Sequence, residues 1–247
     1  MRLDATVCTM PMIVAEGKLL FFVHVPKAGG SSIEEYLVRR FGSLLSMYAG
    51  QDWVERREKG VIIPPTHLTA KALEDVMPPN TAYCFTQVRN PLQRTLSQYR
   101  WQVGRSRISR FSFSTWLRIV LRCARIDGRA YYNHIRPQSD LVPMDCEVFK
   151  LEDGFEPLVR RLDEVVGSSA PEVEIGHLLR AKSVPTTVRR EDVEAIQDFY
   201  RSDYERFGYE LEDVTAFDHD PLARARDGLA RSVAPAIVVR QLFKMVV

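Results

Sequence analysis

The pattern of hydrophobic and polar positions shows short apolar runs that are each followed by an amphipathic segment. Residues 18–25, KLLFFVHV, form a compact apolar run, which is typical of a parallel strand buried on both faces. Residues 26–30, PKAGG, end this strand in a tight turn. Apolar positions then recur at helical spacing from residue 33, with Ser31 or Ser32 as the helix cap. The pattern therefore predicts a strand, a glycine loop and a helix.

Similar units follow along the chain. A second strand is predicted at residues 81–89, and Asn90-Pro91 ends it and begins a helix. A third strand is predicted at residues 146–151 and precedes another helix. A short helix near residues 70–76 and a late helix at residues 190–209 complete the prediction. Because strands and helices alternate, we expect an α/β fold, a P-loop-like three-layer sandwich with a central parallel sheet flanked by helices.

The length and composition indicate one folded domain. The chain has 247 residues, of which 45% are hydrophobic and 27% are charged, as in ordinary soluble globular proteins. We predict a single domain over residues 1–217. The tail, residues 218–247, is either a docked helix or partly disordered, and it packs on its own domain, on a partner subunit or peripherally on a membrane surface.

The charge and the cysteines narrow the class of protein further. With 34 Lys and Arg against 32 Asp and Glu, the net charge of +2 is too small for non-specific binding to nucleic acid. The sequence contains no apolar stretch of about 18 residues, so it predicts no membrane span. The four cysteines are widely spaced and form no C-x-x-C pair, which favours free thiols in a reducing compartment and a cytoplasmic location. No histidines or cysteines lie at metal-ligand spacing, so we predict no metal.

The first segment with chemistry is the loop after the first strand, residues 24–32, HVPKAGGSS. A strand that feeds a glycine loop and a helix N-terminus presents backbone N–H groups and the positive end of the helix dipole to an anion. Lys27 precedes the glycines, whereas the Walker A lysine follows them, so the usual triphosphatase motif is absent. The alternative is a simple tight turn with a solvated lysine.

The second segment is residues 89–99, RNPLQRTLSQY. Arg89 ends a strand, and Ser97 lies about two turns into the following helix. A guanidinium gives a charge-assisted, often bidentate contact, and a hydroxyl adds a neutral hydrogen bond. This pair suits a terminal phosphate monoester, although a surface arginine and an ordinary helical serine would show the same pattern.

Together these two segments resemble the sulfotransferases that use 3′-phosphoadenosine 5′-phosphosulfate (PAPS), specifically the family with bacterial members and the carbohydrate 2-O-sulfotransferases. Its motifs are H-[IV]-P-K-[TA]-[AG]-G-[TS]-S and R-[ND]-P-x-x-R-x-x-S-x-Y. The resemblance extends through His67 and the Lys182-Ser183 pair to the pattern Y-x-x-D-x-x-x-F-G-Y at residues 200–209. It covers roughly residues 18–210.

The resemblance implies the donor and the residues that hold it. Lys27 and the segment Ala28, Gly29, Gly30, Ser31, Ser32 would hold the 5′-phosphosulfate, and Lys27 would neutralise charge that develops on the bridging oxygen. Arg89 and Ser97 would hold the 3′-phosphate, and adenosine 3′,5′-bisphosphate would be the product. Lys182 and Ser183 match a loop that closes over the nucleotide, but Ala181 stands where relatives commonly carry asparagine.

The acceptor hydroxyl must lose a proton, and an imidazole is suited to take it near neutral pH. By the resemblance, His67 is the candidate base and His24 the second candidate, although His24 belongs to the loop motif and is expected to orient it. The resemblance favours a carbohydrate or a glycolipid as acceptor. Two alternatives stay open: a P-loop-like nucleotide kinase or other phosphotransferase, and a catalytically inactive nucleotide-binding module.

Overall fold

The computed structural model describes residues 12–42, 67–103, 111–168 and 184–246, with side chains up to Phe243 in the last helix. Lys182 and Ser183 lie outside the described residues. The chain forms two compact units: residues 1–89 with 140–180, and residues 90–139 with 181–247. The prediction of a single domain over residues 1–217 stays a prediction.

The first unit contains a four-stranded sheet. Its strands are β1 (Met12–Ala15), β2 (Lys18–Val23), β3 (Thr81–Val88) and β4 (Glu147–Lys150), in the spatial order β1-β2-β3-β4. Strand β2 pairs in parallel with β3, and β3 in parallel with β4. The predicted purely parallel sheet is wrong in one respect, because β1 runs antiparallel to β2 through the tight turn at Glu16 and Gly17. The sheet is therefore mixed, although mostly parallel.

The helices of this unit are α1 (Gly30–Phe41), α2 (Ala70–Glu74) and α5 (Glu156–Val166). Side chains alternate along the strands, so Leu20 and Phe22 of β2 point to the same face as Phe85 of β3. That face packs against Ile33 of α1 and Leu158 of α5 in one buried cluster. Buried packing of this kind fixes the start of α1 relative to the ends of β2 and β3, where the glycine loop lies.

The second unit is helical. It contains α3 (Pro91–Gln102), α4 (Phe113–Ile126), α6 (Arg190–Phe199), α7 (Arg201–Phe207) and α8 (Ala223–Val246). Its core surrounds the fully buried Trp116, whose indole N–H donates to Gln102 Oε1 over 2.8 Å. Helix α8 packs on α4, with Ala230, Ala234 and Val238 buried at a spacing of four residues.

The structure confirms most predicted elements and corrects three details. The predicted late helix is two helices, because α6 ends at Phe199 and α7 begins at Arg201. Strand β1 and helix α4 had not been predicted. Neither Ser31 nor Ser32 caps α1: the cap is Gly29, in the left-handed region and without a side-chain hydrogen bond.

Three cysteines of the described residues, Cys84, Cys123 and Cys146, are buried and form no disulfide. Cys84 of β3 lies beside Cys146, just before β4, with the two Sγ atoms 3.0 Å apart. Burial raises the pKa of the Cys123 thiol to about 11, so that thiol stays protonated near neutral pH. In the part of the chain described, no helix combines the length and the apolar character that crossing a membrane requires.

Candidate functional site

The loop between β2 and α1 has an unusual backbone. Lys27 has a φ of 69° and Gly29 a φ of 87°, both in the left-handed region. The loop is braced by Ala28 N–H, which donates to the Val25 carbonyl over 3.3 Å, and by Ser32 N–H, which donates to the Gly29 carbonyl over 3.0 Å. A left-handed conformation costs a non-glycine residue about 1 kcal/mol or more. The surrounding loop must therefore hold Lys27 in a conformation that is unfavourable for it.

This loop opens the N-terminus of α1 toward an anion. Gly29, Gly30 and Ser31 stand at the start of α1, where a helix leaves its first N–H groups without an acceptor inside the helix. The twelve residues of α1 give a helix dipole whose positive end lies at the same place. No acidic side chain lies in the first turn, and Glu34, one turn further along the helix, is hydrogen-bonded to His24. The arrangement is suited to phosphate or sulfate oxygens.

A histidine fixes the start of α1 against the sheet. His24 Nδ1 hydrogen-bonds Glu34 Oε1 over 2.5 Å, one turn inside the helix. A Cβ added to Gly30 would lie 2.7 to 2.9 Å from three atoms of the His24 ring. Only glycine at position 30 therefore allows the helix to approach the ring so closely. His24 thus contacts the start of α1 at Gly30 and at Glu34, and its role in orienting the loop stays a prediction.

His67, the candidate base, lies next to this arrangement. Its ring centroid is 5.8 Å from that of His24, with the rings edge to face. The residue is partly exposed and lies three positions before the short helix α2, which Thr69 caps by accepting from Ala72 N–H. The structure thus brings His67 close to the His24 ring, which in turn touches the loop at Gly30.

Two side chains from the end of β3 reach the same loop. Arg89 Nη1 donates to the Lys27 carbonyl over 3.5 Å, so the predicted phosphate ligand also contacts the strained loop residue. Gln87 lies two residues earlier with 1% exposure, and its amide would meet a Cβ on Gly29. No role was predicted for Gln87 from the sequence. The available signal was an amide side chain in a core strand, two positions before Arg89.

The other predicted site residues lie in the second unit or outside the described residues. Ser97 is partly exposed, in the second turn of α3. Its predicted contact with a 3′-phosphate stays a prediction, as do those of Lys182 and Ser183. Within the described residues no cluster of His, Cys, Asp or Glu side chains forms a candidate metal site.

Several motif residues of the second unit support the turn at 131–140. Three consecutive residues, Tyr131, Tyr132 and Asn133, have φ values of 58°, 55° and 64°. Buried Arg94 donates to the carbonyls of His134 and Arg136. The other contacts come from the junction between α6 and α7 and from α7: Tyr200 donates to the Ile135 carbonyl, and Asp203 accepts from the backbone N–H groups of Gln138 and Ser139.

The motif positions Arg94, Tyr200 and Asp203 therefore have a structural task in common. Burial raises the pKa of the Asp203 carboxyl, and this effect exceeds the opposing effects of Arg94 and of the two backbone N–H groups. Such residues hold a left-handed turn that would otherwise be strained.

Comparison with known proteins agrees with the geometry of the loop. Neither the search of curated proteins nor the search of solved structures gave a match. A family model described as "Sulfotransferase family" matches residues 10–210, which include the glycine loop, Arg89, Ser97 and the 200–209 pattern. The match covers most of the chain, and the chain belongs to the sulfotransferase family.

Proposed function

We propose that the chain transfers a sulfuryl group from PAPS to an acceptor hydroxyl. The observation that carries the proposal is the loop Lys27–Ser32, in which a left-handed lysine and a glycine cap leave the start of α1 open to an anion. The family match supports sulfotransfer in general. PAPS supplies an activated sulfuryl group, and the task left to the protein is binding, positioning and charge stabilisation.

The loop and the end of β3 are proposed to bind different parts of PAPS. The N–H groups at the start of α1 suit the 5′-phosphosulfate, because several directed donors can contact one group of oxygens. The Lys27 ammonium adds the charge that a developing anion on the leaving oxygen requires. Arg89 is proposed to bind the 3′-phosphate together with Ser97, and its 3.5 Å contact with the Lys27 carbonyl links its position to that of the loop.

We propose His67 as the base that accepts the hydroxyl proton. Its partly exposed position beside the ring of His24 keeps it near the loop while leaving it accessible. His24 suits this task less well, because its Nδ1 is engaged with Glu34 and its ring packs on Gly30. A carbohydrate or glycolipid is proposed as acceptor on the resemblance of the two motifs alone.

Donor binding can be tested before the acceptor is known. Calorimetric titration with adenosine 3′,5′-bisphosphate is expected to show binding that is at least 10-fold tighter than that of ATP or 5′-AMP. Arg89→Ala is expected to remove most of this preference, because the charge-assisted contacts to the 3′-phosphate are lost. A preference for ATP, or no binding of the bisphosphate, would contradict the proposal and favour a phosphotransferase or an inactive module.

His67→Ala is expected to lower turnover about 100-fold or more while leaving the affinity for adenosine 3′,5′-bisphosphate within 2-fold, because general-base catalysis typically contributes 10²–10⁴-fold. The measurement combines single-turnover rates with PAPS and calorimetry on the same preparation. His219→Ala, at an exposed histidine of the second unit, is the matched control and should keep full turnover. Unchanged turnover in His67→Ala would remove His67 as the base.

A further inference from the structure

Gln87 lies in an apolar setting at the end of β3. It shares a strand face with Tyr83 and Phe85, whose rings stack 5.4 Å apart in the core beneath α1. Only 1% of Gln87 is exposed. A polar side chain at such a position loses its contacts with water and needs partners inside the protein.

The carboxamide of Gln87 points at the glycine loop. Its Oε1 lies 2.7 Å from the position that a Cβ on Gly29 would occupy, and the Leu151 Cδ1 lies 3.2 Å from the same point. Gly29 is the cap of α1, where the helix N–H groups open. The end of the side chain is thus packed against the residue that begins the proposed anion cradle.

Within the described part of the chain, neither Oε1 nor Nε2 of Gln87 has a hydrogen-bond partner. The neighbouring Thr86 shows the usual arrangement, because its buried hydroxyl donates to the Val23 carbonyl over 2.7 Å. Leaving both polar atoms of a buried amide unpaired is unfavourable, so such a group calls for an explanation. A ligand that accepts a hydrogen bond at the loop provides one.

We infer that Gln87 is a donor-binding residue whose amide Nε2–H donates to an oxygen of the 5′-phosphate held at the start of α1. The inference rests on the proposed donor site and adds a ligand to it. The oxygen and nitrogen ends of a carboxamide exchange by rotation, so either can face the loop. A neutral amide also suits a buried position, where a second lysine would be costly to desolvate.

The test variant is Gln87→Leu, which keeps the volume and removes the polar atoms. Its affinity for adenosine 3′,5′-bisphosphate is expected to fall about 10- to 100-fold, the effect of losing one hydrogen bond to a charged group. Its affinity for 3′-AMP, which lacks the 5′-phosphate, should stay within 2-fold of wild type. The thermal midpoint without ligand should be equal or higher, because an unpaired buried amide has been removed.

Thr86→Val is the matched control, since residue 86 lies next to Gln87 and is equally buried. It is expected to lower the thermal midpoint, because the hydrogen bond to the Val23 carbonyl is lost, and to leave the affinity for the bisphosphate unchanged. A residue with a merely structural role would follow this control. Gln87→Leu should show the opposite combination of stable fold and weak binding.

Gln87→Glu is a second test of the contact with the 5′-phosphate. It replaces the first test if Gln87→Leu does not fold. The introduced carboxyl repels the 5′-phosphate when ionised and can donate a hydrogen bond when protonated. Its deficit in affinity relative to wild type is therefore expected to shrink as the pH falls from 8 to 5, with both proteins measured at each pH.

The outcomes separate this inference from the proposed function. If wild type does not bind the bisphosphate, the donor proposal and the inference both fail. If wild type binds it and Gln87→Leu binds equally well, only the inference fails. Equal losses for the bisphosphate and for 3′-AMP would also overturn it, because the contact would not be with the 5′-phosphate.

Discussion

We expect Lys27→Ala to lower the proposed sulfuryl transfer from PAPS at least 100-fold. Removing one preorganised group that stabilises transition-state charge typically costs 10²–10³-fold in rate. Here Lys27 is the loop residue held at a φ of 69°, with its carbonyl contacted by Arg89. The measurement is the single-turnover rate with labelled PAPS, at a donor concentration that saturates the variant.

Lys27→Gly separates the charge from the backbone strain. Glycine adopts a positive φ without the steric penalty that alanine meets, so this variant should be about 1 kcal/mol more stable than Lys27→Ala in urea unfolding. Its turnover should nevertheless be as low, because both variants lack the ammonium group. Recovery of turnover in Lys27→Gly would show that the loop geometry, and not the charge, limits the reaction.

The matched control is Lys71→Ala, which removes an exposed lysine from α2 in the same unit. Exposed charges interact weakly in water and salt, so we expect neither turnover nor stability to change beyond experimental error. If Lys27→Ala and Lys71→Ala both kept wild-type turnover, the loop would not be the place where the sulfuryl donor reacts. The proposed function would then lose the observation that carries it.

The sequence predicted the unit of strand, loop and helix because its signals are local. The apolar run ending at Val25, the glycines at 29 and 30 and the Asn90-Pro91 pair each dictate a conformation within a few residues. The structure gives both bounds of β2 and β3, and the start of α3, within two residues of the prediction. The Tyr200-Asp203 pattern was also found, but its task of holding the turn at 131–140 depends on contacts about 65 residues apart in sequence.

The remaining features depend on tertiary packing. The capping prediction failed at Ser31 and Ser32 because close approach to the His24 ring places Gly30 inside the helix and Gly29 at its cap. Helix α4 is an exception, because its apolar residues recur at helical spacing and Arg122 and Arg125 face solvent, so this signal was available in the sequence. Gln87 was not predicted as a site residue, because the sequence does not show that its side chain lies against Gly29.

Gly30→Ala is the second variant with a large expected effect, since three ring atoms of His24 lie within 2.9 Å of the new Cβ. The ring cannot retreat easily, because Nδ1 is held by Glu34 and a second ring, that of His67, lies 5.8 Å away. Overpacking of this kind typically costs 1–3 kcal/mol. We expect a loss of about 2 kcal/mol in urea unfolding and at least a 10-fold loss in affinity for adenosine 3′,5′-bisphosphate, because the start of α1 must shift.

Gly228→Ala is the matched control, since that glycine lies within α8 and a Cβ there would meet nothing within 4 Å. Alanine is the better helix former, so this change should raise stability by up to about 1 kcal/mol and leave binding unchanged. A double variant, Gly30→Ala with His24→Ala, tests the cause. Deleting the ring makes room for the Cβ, so the double variant should lose less than the sum of the single losses. Strict additivity would mean that the ring does not dictate glycine at position 30.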